Sequence, residues 1–387
     1  MNLGEDLMQK DFIPKSFLIL SFTASLLSAG CKSRNYNSSE ISQSKTVNEK
    51  ATLHSSEQTT QASPNIPKDV LQKWELMRAL HPGRLQNGCE PTRYSPPAGV
   101  KYRGVAVLLH GFSACPGQYE LLGPQLARAG YEVLVPLYPG HGRIPLQMSP
   151  RKDDVEFVPV NPVPWAAFTR EVNELVQSFK GEKVLVGLSL GSNIALRAVQ
   201  FAPDLYDRVY VMSPKLRSEA SFFSGLLHDQ IKVFGIEEFI LDGKAGWPIC
   251  EKEESLPPHN RPGFCYMQNK HGIAMLDFGK NVIDAAQENG KRGTRYRTQI
   301  QFVLSHSDNG TCNDAAREVL TGLQKGNNKA MVCVMPKEVP HSMFSLRDKP
   351  YEKPWVPALF DSVETFLTTG TPVAGSSQSF TDCALQW

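Results

Sequence analysis

The stretch Val184-Leu185-Val186-Gly187-Leu188-Ser189-Leu190-Gly191 is an apolar run that ends in the pattern Gly-x-Ser-x-Gly. A short apolar run is typical of a strand buried on both faces, and residues 193–201 continue with the apolar spacing of a helix. A turn this sharp needs glycine on both sides of the serine, because a Cβ at either position would collide with the neighbouring chain. The turn lifts the hydroxyl of Ser189 clear of the sheet. We therefore predict that Ser189 is a nucleophile.

A serine hydroxyl is a weak nucleophile at neutral pH and needs an adjacent base that is itself oriented by an acid. For a serine in such a turn, the expected chain order is Ser, then Asp or Glu, then His. His341 follows the predicted strand at residues 331–334 after a short loop, and Asp308 lies in the loop after the predicted strand at residues 300–304. We predict that His341 is the base and Asp308 the acid.

Two other residues compete for these roles. His306 lies in the same loop as Asp308 and only two positions before it, so it is poorly placed to be its partner. Asp314 is the alternative acid, but it falls in the first turn of a predicted helix, where the helix dipole favours a carboxylate.

The oxyanion of a tetrahedral intermediate needs two preorganised N–H donors. One donor is expected to be the backbone N–H of Leu190, immediately after the nucleophile. The other is expected in the loop after the predicted strand at residues 105–109, where the backbone N–H of Phe112 is the candidate. Gly111 permits a close backbone approach in this loop, and we expect His110 to have a structural role.

The chain around these residues alternates between strands and helices, which predicts an α/β fold with a mainly parallel sheet and helices on both faces. Ligands bind such sheets outside the carboxyl ends of the strands, where the candidate residues lie. The predicted strands are 105–109, 132–137, 184–187, 209–212, 300–304 and 331–334, and the predicted helices are 69–80, 119–129, 165–179, 193–201, 314–323 and 357–367.

Four motifs carry a family resemblance. They are Leu108-Leu109-His110-Gly111-Phe112, Leu126-Ala127-Arg128-Ala129-Gly130-Tyr131, Tyr138-Pro139-Gly140-His141-Gly142 and Gly187-Leu188-Ser189-Leu190-Gly191. In these motifs the chain resembles the α/β-hydrolase superfamily, and within it the bacterial carboxylesterase and monoacylglycerol-lipase-like branch. The resemblance implies a triad of Ser189, Asp308 and His341 with oxyanion donors at Phe112 and Leu190. Ser192 departs from the pattern, because these enzymes often have a second glycine there.

The domain organisation follows from this resemblance and from composition. The hydrolase core is expected at residues 66–213 and 300–368, and a lid or cap at 214–299, where this branch inserts one. The lid sequence includes Phe222-Phe223-Ser224-Gly225-Leu226-Leu227, and residues 143–163 form a second insertion. Residues 32–65 are polar and are expected to be a disordered linker. Residues 369–387 form a C-terminal tail.

The N-terminus has the order of an export signal. Lys10 and Lys15 precede an apolar stretch at residues 17–27, which is far shorter than the roughly 20 residues that span a membrane. The small residues Ser28-Ala29-Gly30 then lead to Cys31. This ending resembles a bacterial lipoprotein signal, although Leu27 stands one position earlier than is usual. We expect residues 1–31 to be a signal peptide, with lipidation at Cys31 and anchoring to a membrane of the cell envelope; the alternative is secretion or a periplasmic location.

The chain has eight cysteines, and none form a close Cys-x-x-Cys pair. In an oxidising compartment some are expected to form disulfides. Sequence proximity favours pairing of Cys312 with Cys333 and of Cys250 with Cys265.

These features favour an enzyme that cleaves a small-molecule ester or lipid without a cofactor. Amide or peptide hydrolysis is an alternative, and so is a non-catalytic envelope lipoprotein that has kept the fold. No metal motif or glycine-rich nucleotide loop occurs in the sequence. The net charge of only +2 gives no reason to expect nucleic acid binding.

Overall fold

A computed structural model gives the architecture of most of the chain. It describes residues 68–79, 85–143, 157–217, 244–246, 263, 266–306, 308, 311–326, 329–344 and 353–387. The predicted signal peptide with Cys31, the predicted linker at 32–65 and the apolar stretch at 222–227 lie outside these residues.

The centre of the molecule is a seven-stranded sheet. Its strands are β1 (Thr92–Tyr94), β2 (Gly104–Leu109), β3 (Tyr131–Val135), β4 (Glu182–Leu188), β5 (Arg208–Met212), β8 (Gln299–Ser305) and β9 (Ala330–Met335), and a separate antiparallel pair is formed by β6 (Lys244–Gly246) and β7 (Tyr266–Gln268). The strand order in the sheet is β1-β3-β2-β4-β5-β8-β9. All neighbours run parallel except β1 and β3, so the predicted mainly parallel sheet is confirmed.

Helices cover both faces of this sheet. They are α1 (Lys68–Ala79), α2 (Leu122–Arg128), α3 (Val163–Gln177), α4 (Leu190–Phe201), α5 (Asn269–Arg292), α6 (Asn313–Gln324) and α7 (Trp355–Thr369). Apolar side chains of α1 and of α3 to α6 form the core on one face, and those of α2 and α7 form it on the other. Strand β2 contributes to both cores, with Val105 and Val107 on one face and Ala106 and Leu108 on the other. None of the helices in the described part of the chain is long and apolar enough to cross a membrane.

Helix α5 lies within residues 214–299, the segment that the sequence predicts as a lid. It packs against α4 and α6, and its buried Phe278 and Val282 belong to the core. The end of that segment therefore belongs to the helix layer that covers the central sheet. Most of residues 218–265 lie outside the described part of the chain.

Two disulfides join described cysteines, Cys89 to Cys115 and Cys333 to Cys383. The predicted pairing of Cys312 with Cys333 is therefore wrong, although Cys312 is also disulfide-bonded. Proximity in sequence failed here because the C-terminal tail lies along β9, where Val332 pairs with Ser377 and Val334 with Asp382. This pairing brings Cys383 next to Cys333. The predicted Cys250–Cys265 pair lies outside the described residues.

Candidate active site

Ser189 stands in the turn between β4 and α4, with a strained backbone at φ 58° and ψ −116°. A non-glycine residue in such a conformation costs about 1–3 kcal/mol and persists only where its surroundings enforce it. Both flanking glycines are packed against backbone. A Cβ at Gly187 would lie 2.5 Å from the carbonyl carbon of Gly191, and one at Gly191 would lie 1.9 Å from the carbonyl oxygen of Leu109. No larger residue fits at either position.

The side chains of Ser189, His341 and Asp308 form a continuous hydrogen-bonded chain. Ser189 Oγ–H donates to His341 Nε2 over 3.0 Å, and His341 Nδ1–H donates to Asp308 Oδ2 over 2.8 Å. The Asp308 side chain is 1% exposed and that of His341 is 27% exposed, so the acid is buried and the imidazole borders the solvent. The structure thus brings the three predicted residues together, although they come from loops after three different strands.

Thr311 holds the acid in place. Its backbone N–H donates to the second carboxylate oxygen of Asp308, Oδ1, over 2.9 Å. Its hydroxyl reaches the carbonyl oxygens of Pro214 at 2.9 Å and Arg217 at 3.0 Å, which lie in the turn after β5. Sequence reasoning missed this buried residue. The available signal was a threonine three residues after an aspartate, which is a common turn arrangement.

The two competing residues lie elsewhere. Asp314 is in the first turn of α6, half-exposed, with its carboxylate 3.7 Å from Arg317 Nε. The backbone N–H of His306 donates to the Met335 carbonyl oxygen over 3.1 Å at the end of β9.

The loop after β2, which carries Phe112, lies against the nucleophile. A Cβ at Gly111 would be 3.8 Å from the Cβ of Ser189. The backbone N–H of Gly111 donates to Gln118 Oε1 over 2.8 Å, and this bond fixes the loop. Leu190 is the first residue of α4, where backbone N–H groups have no partner within the helix. Leu190 thus adjoins Ser189 and the loop that carries Phe112 lies against it, while the role of their N–H groups as oxyanion donors stays a prediction.

Two buried tyrosines support this loop from beneath. Tyr138 Oη–H donates to the His110 carbonyl oxygen over 2.7 Å, and Tyr119 Oη–H donates to that of Leu109 over 2.9 Å. The buried His110 ring stacks on Tyr138 with 3.8 Å between ring centroids. His110 thus has the structural surroundings that the sequence led us to expect.

A disulfide fastens the far end of the same loop. Cys115, three residues after Phe112, is bonded to Cys89, and the Gly117 N–H donates to the Gly88 carbonyl oxygen over 2.8 Å. The segment that carries Cys89 is anchored in turn, because the Gln86 N–H donates to the Gly142 carbonyl oxygen over 2.8 Å. We call residues 85–89 the clamp segment.

The comparisons with known proteins agree with this architecture. A model of the alpha/beta hydrolase family matches residues 106–274, which contain most of β2, all of β3 to β5 and the turn at Ser189. The chain has the α/β-hydrolase fold. Among curated proteins, none has a sequence that matches this chain significantly.

Three solved structures of this fold are similar to the chain. One, from work on the metagenome-derived lipolytic enzymes LipS and LipT, has a TM-score of 0.53 at 16% identity and covers 73% of this chain and 99% of its own. A monoacylglycerol lipase from Paleococcus ferrophilus has a TM-score of 0.50 at 19% identity and covers 73% and 100%. A soluble variant of the monoglyceride lipase from Saccharomyces cerevisiae has a TM-score of 0.50 at 16% identity and covers 73% and 91%.

Ser192 stands where α/β-hydrolases often have a second glycine, and its contacts show how a serine fits there. Its buried hydroxyl lies 2.7 Å from the carbonyl oxygens of Gly187 and Met212 and accepts the Met212 N–H over 3.0 Å. The hydroxyl thus ties the start of α4 to β4 and β5. Within the described residues, no group of histidine, cysteine or acidic side chains is arranged to hold a metal ion.

Proposed function

We propose that this protein is a carboxylic-ester hydrolase that works through an acyl-enzyme on Ser189. The observation that carries the proposal is the hydrogen-bonded chain from Ser189 through His341 to Asp308, set at a strained turn. Strain at a residue is maintained where function requires its conformation. Here the turn points a hydroxyl at a base instead of using it to cap α4, since Ser189 makes no side-chain cap.

In the first half-reaction, Ser189 Oγ attacks the carbonyl carbon of the ester while its proton passes to His341 Nε2. Asp308 accepts a hydrogen bond from Nδ1–H of the imidazole. It thereby fixes the tautomer that leaves Nε2 free to take a proton, and it stabilises the imidazolium that forms. The oxyanion is held by the backbone N–H groups of Phe112 and Leu190. His341 then gives its proton to the alcohol oxygen as the C–O bond breaks.

In the second half-reaction, water attacks the acyl-enzyme and gives a proton to His341 Nε2. The second tetrahedral intermediate collapses, the bond to Ser189 Oγ breaks, and His341 returns its proton to that oxygen. The carboxylic acid leaves and the resting hydrogen bonds re-form. No cofactor takes part in either half-reaction as we propose it.

The similar solved structures favour an ester or lipid as the substrate, since two of them are named as lipases of monoacylglycerol type. Amide or peptide hydrolysis would use the same three side chains and is the second candidate. A non-catalytic envelope protein is the third, and the intact hydrogen-bonded chain speaks against it.

We further propose that the protein is a lipoprotein of the bacterial cell envelope, attached to a membrane through lipid on Cys31. The disulfides described above support an oxidising compartment, because they are rare in reducing ones. A secreted or periplasmic protein is the alternative.

The test is turnover of p-nitrophenyl esters of graded chain length by the wild type and by Ser189→Ala. We expect hydrolysis by the wild type and a loss of at least about 10³-fold in kcat by the variant. Fluorophosphonate labelling of the wild type but not of the variant would place the nucleophile at Ser189. Equal activity in the two proteins would overturn the mechanism. Turnover of p-nitroanilides but not of the esters would favour amide hydrolysis. The absence of both turnover and labelling would favour a binding protein.

A further inference from the structure

Lys215 lies in the turn after β5, directly beside the nucleophile. Its backbone N–H donates to the Ser189 carbonyl oxygen over 3.3 Å, and its own carbonyl oxygen accepts from Asn193 Nδ2 over 2.6 Å. On a third side α5 approaches so closely that a Cβ at Gly279 would come within 2.7 Å of the Lys215 carbonyl oxygen. The nucleophile turn, α4 and α5 therefore fix the backbone of Lys215. The three residues that make these contacts, Ser189, Asn193 and Gly279, are uncharged.

The ammonium group of Lys215 has no hydrogen-bond or ion-pair partner among the described residues. Its side chain is nevertheless half-buried, and burial lowers its pKa from 10.5 to about 8. Removing a cation from water without a counterion costs free energy. Arg217, two residues later, shows the usual solution, because its guanidinium pairs with Glu318 at 2.8 Å.

Asp308 is the acidic group whose charge acts on Lys215, and it partly offsets the effect of burial on the pKa of the lysine. Its two oxygens are already engaged, Oδ2 by His341 Nδ1–H and Oδ1 by the Thr311 N–H. Asp308 therefore attracts the cation without forming an ion pair with it. A positive charge on the residue whose backbone contacts Ser189, without a partner among the described residues, is suited to an anion that arrives with the substrate.

We propose that Lys215 binds an anionic oxygen group of the substrate, so that the preferred esters carry a carboxylate or a phosphate on their acyl or alcohol part. This inference rests on the proposed ester hydrolysis at Ser189. Hydrogen bonds between a cation and an anion are about twice as strong as neutral ones, and partial burial of the lysine strengthens the attraction further. The charge would thus act as the specificity determinant of the site.

The experiment compares esters that differ only in charge. On the acyl side the pair is the mono-p-nitrophenyl ester of adipic acid and p-nitrophenyl hexanoate; on the alcohol side it is the butyrate of a carboxylated nitrophenol and p-nitrophenyl butyrate. Values of kcat/KM are measured for the wild type, Lys215→Met, Lys215→Arg and the control Lys183→Met. Lys183 lies near the start of β4, with its ammonium 3.4 Å from the Gly181 carbonyl oxygen, whereas Ser189 follows the other end of this strand.

We expect the wild type and Lys183→Met to prefer the charged ester of one pair by about tenfold or more. The preference should vanish in Lys215→Met and survive in Lys215→Arg, while all four proteins turn over the neutral esters, which shows that the site is folded. It should also decline in the wild type between pH 7 and pH 9, as Lys215 loses its proton, but not in Lys215→Arg. The same charge preference in Lys215→Met as in the wild type, or no preference in any protein, would overturn the inference. Failure of the neutral esters in the wild type would instead overturn the proposed function.

Discussion

At the scale of single residues, the site depends on a carboxylate that does not touch the nucleophile. Asp308 acts through the Nδ1–H of His341, and Thr311 holds its other oxygen. Since the Thr311 hydroxyl also reaches the turn after β5, the acid and the turn beside the nucleophile are connected by a short path. The geometry of the proposed triad is therefore fixed at both of its ends.

Asp308→Asn should lower kcat by about 10⁴-fold, because an amide in place of the carboxylate favours the imidazole tautomer that cannot accept the serine proton. The matched control is Asp314→Asn, which removes the competing carboxylate on the exposed side of α6 and should leave kcat within about twofold of the wild type. Both are measured with a neutral p-nitrophenyl ester. A large loss in the Asp314 variant, with activity retained in the Asp308 variant, would reverse the assignment of the acid.

At the scale of elements, the sequence was most informative where one element carries its own signal. The parallel strands are mostly apolar runs, and the turn at Ser189 is marked by glycines that are required by close backbone contacts within the turn and with β2. Strand β1 left no such signal, because it is three residues long and half-buried. Residues 269–292, which form α5, were assigned to the lid because the branch that the sequence resembles inserts a lid at this position.

The contacts of Thr311 and Lys215 could not be predicted from the sequence either. Each depends on backbone groups of a loop that is distant along the chain, and a pattern of residue types does not record such contacts. The prediction of a Cys312–Cys333 disulfide failed for the same reason, since Cys383 reaches Cys333 only because the tail folds back on β9. Contacts between elements were therefore the part of the site that could not be predicted from the sequence.

One prediction at the scale of elements concerns the disulfide that joins the clamp segment to the loop carrying Phe112. Replacing Cys89 and Cys115 by alanine should free one end of the loop that carries Phe112, and kcat should fall by about 10- to 100-fold with little change in KM, because a misplaced oxyanion donor weakens transition-state binding. The double variant of Cys333 and Cys383 serves as the control for losing a disulfide as such. It should unfold at a lower temperature with kcat nearly unchanged. Equal effects of the two double variants on kcat would contradict a special role for the Cys89–Cys115 bond.

At the scale of the whole molecule, the residues proposed for catalysis lie apart in the sequence from the residue proposed for membrane attachment. All residues that we place in the reaction lie between Phe112 and His341, whereas the proposed lipid is on Cys31. Cys31→Ser, expressed with its complete N-terminus in a bacterial host, should move the protein from the membrane fraction to the soluble fraction. Its specific activity on a soluble ester should stay the same. The measurements are fractionation and mass spectrometry of the mature N-terminus, and an unlipidated Cys31 in the membrane-bound wild type would contradict the anchor.

The C-terminal tail has a consequence for how copies of this protein behave at high concentration. Strand β9 ends the central sheet, and an open strand at that place would offer its N–H and carbonyl groups to a neighbouring molecule. The tail occupies part of that position, since the Val332 and Val334 N–H groups donate to the Ser377 and Thr381 carbonyl oxygens, and the bond from Cys333 to Cys383 makes the cover covalent. At the opposite edge of the sheet, β1 has only 3 residues and is too short to recruit a partner strand. Both edges of the sheet are thus protected against pairing with the sheet edge of another copy.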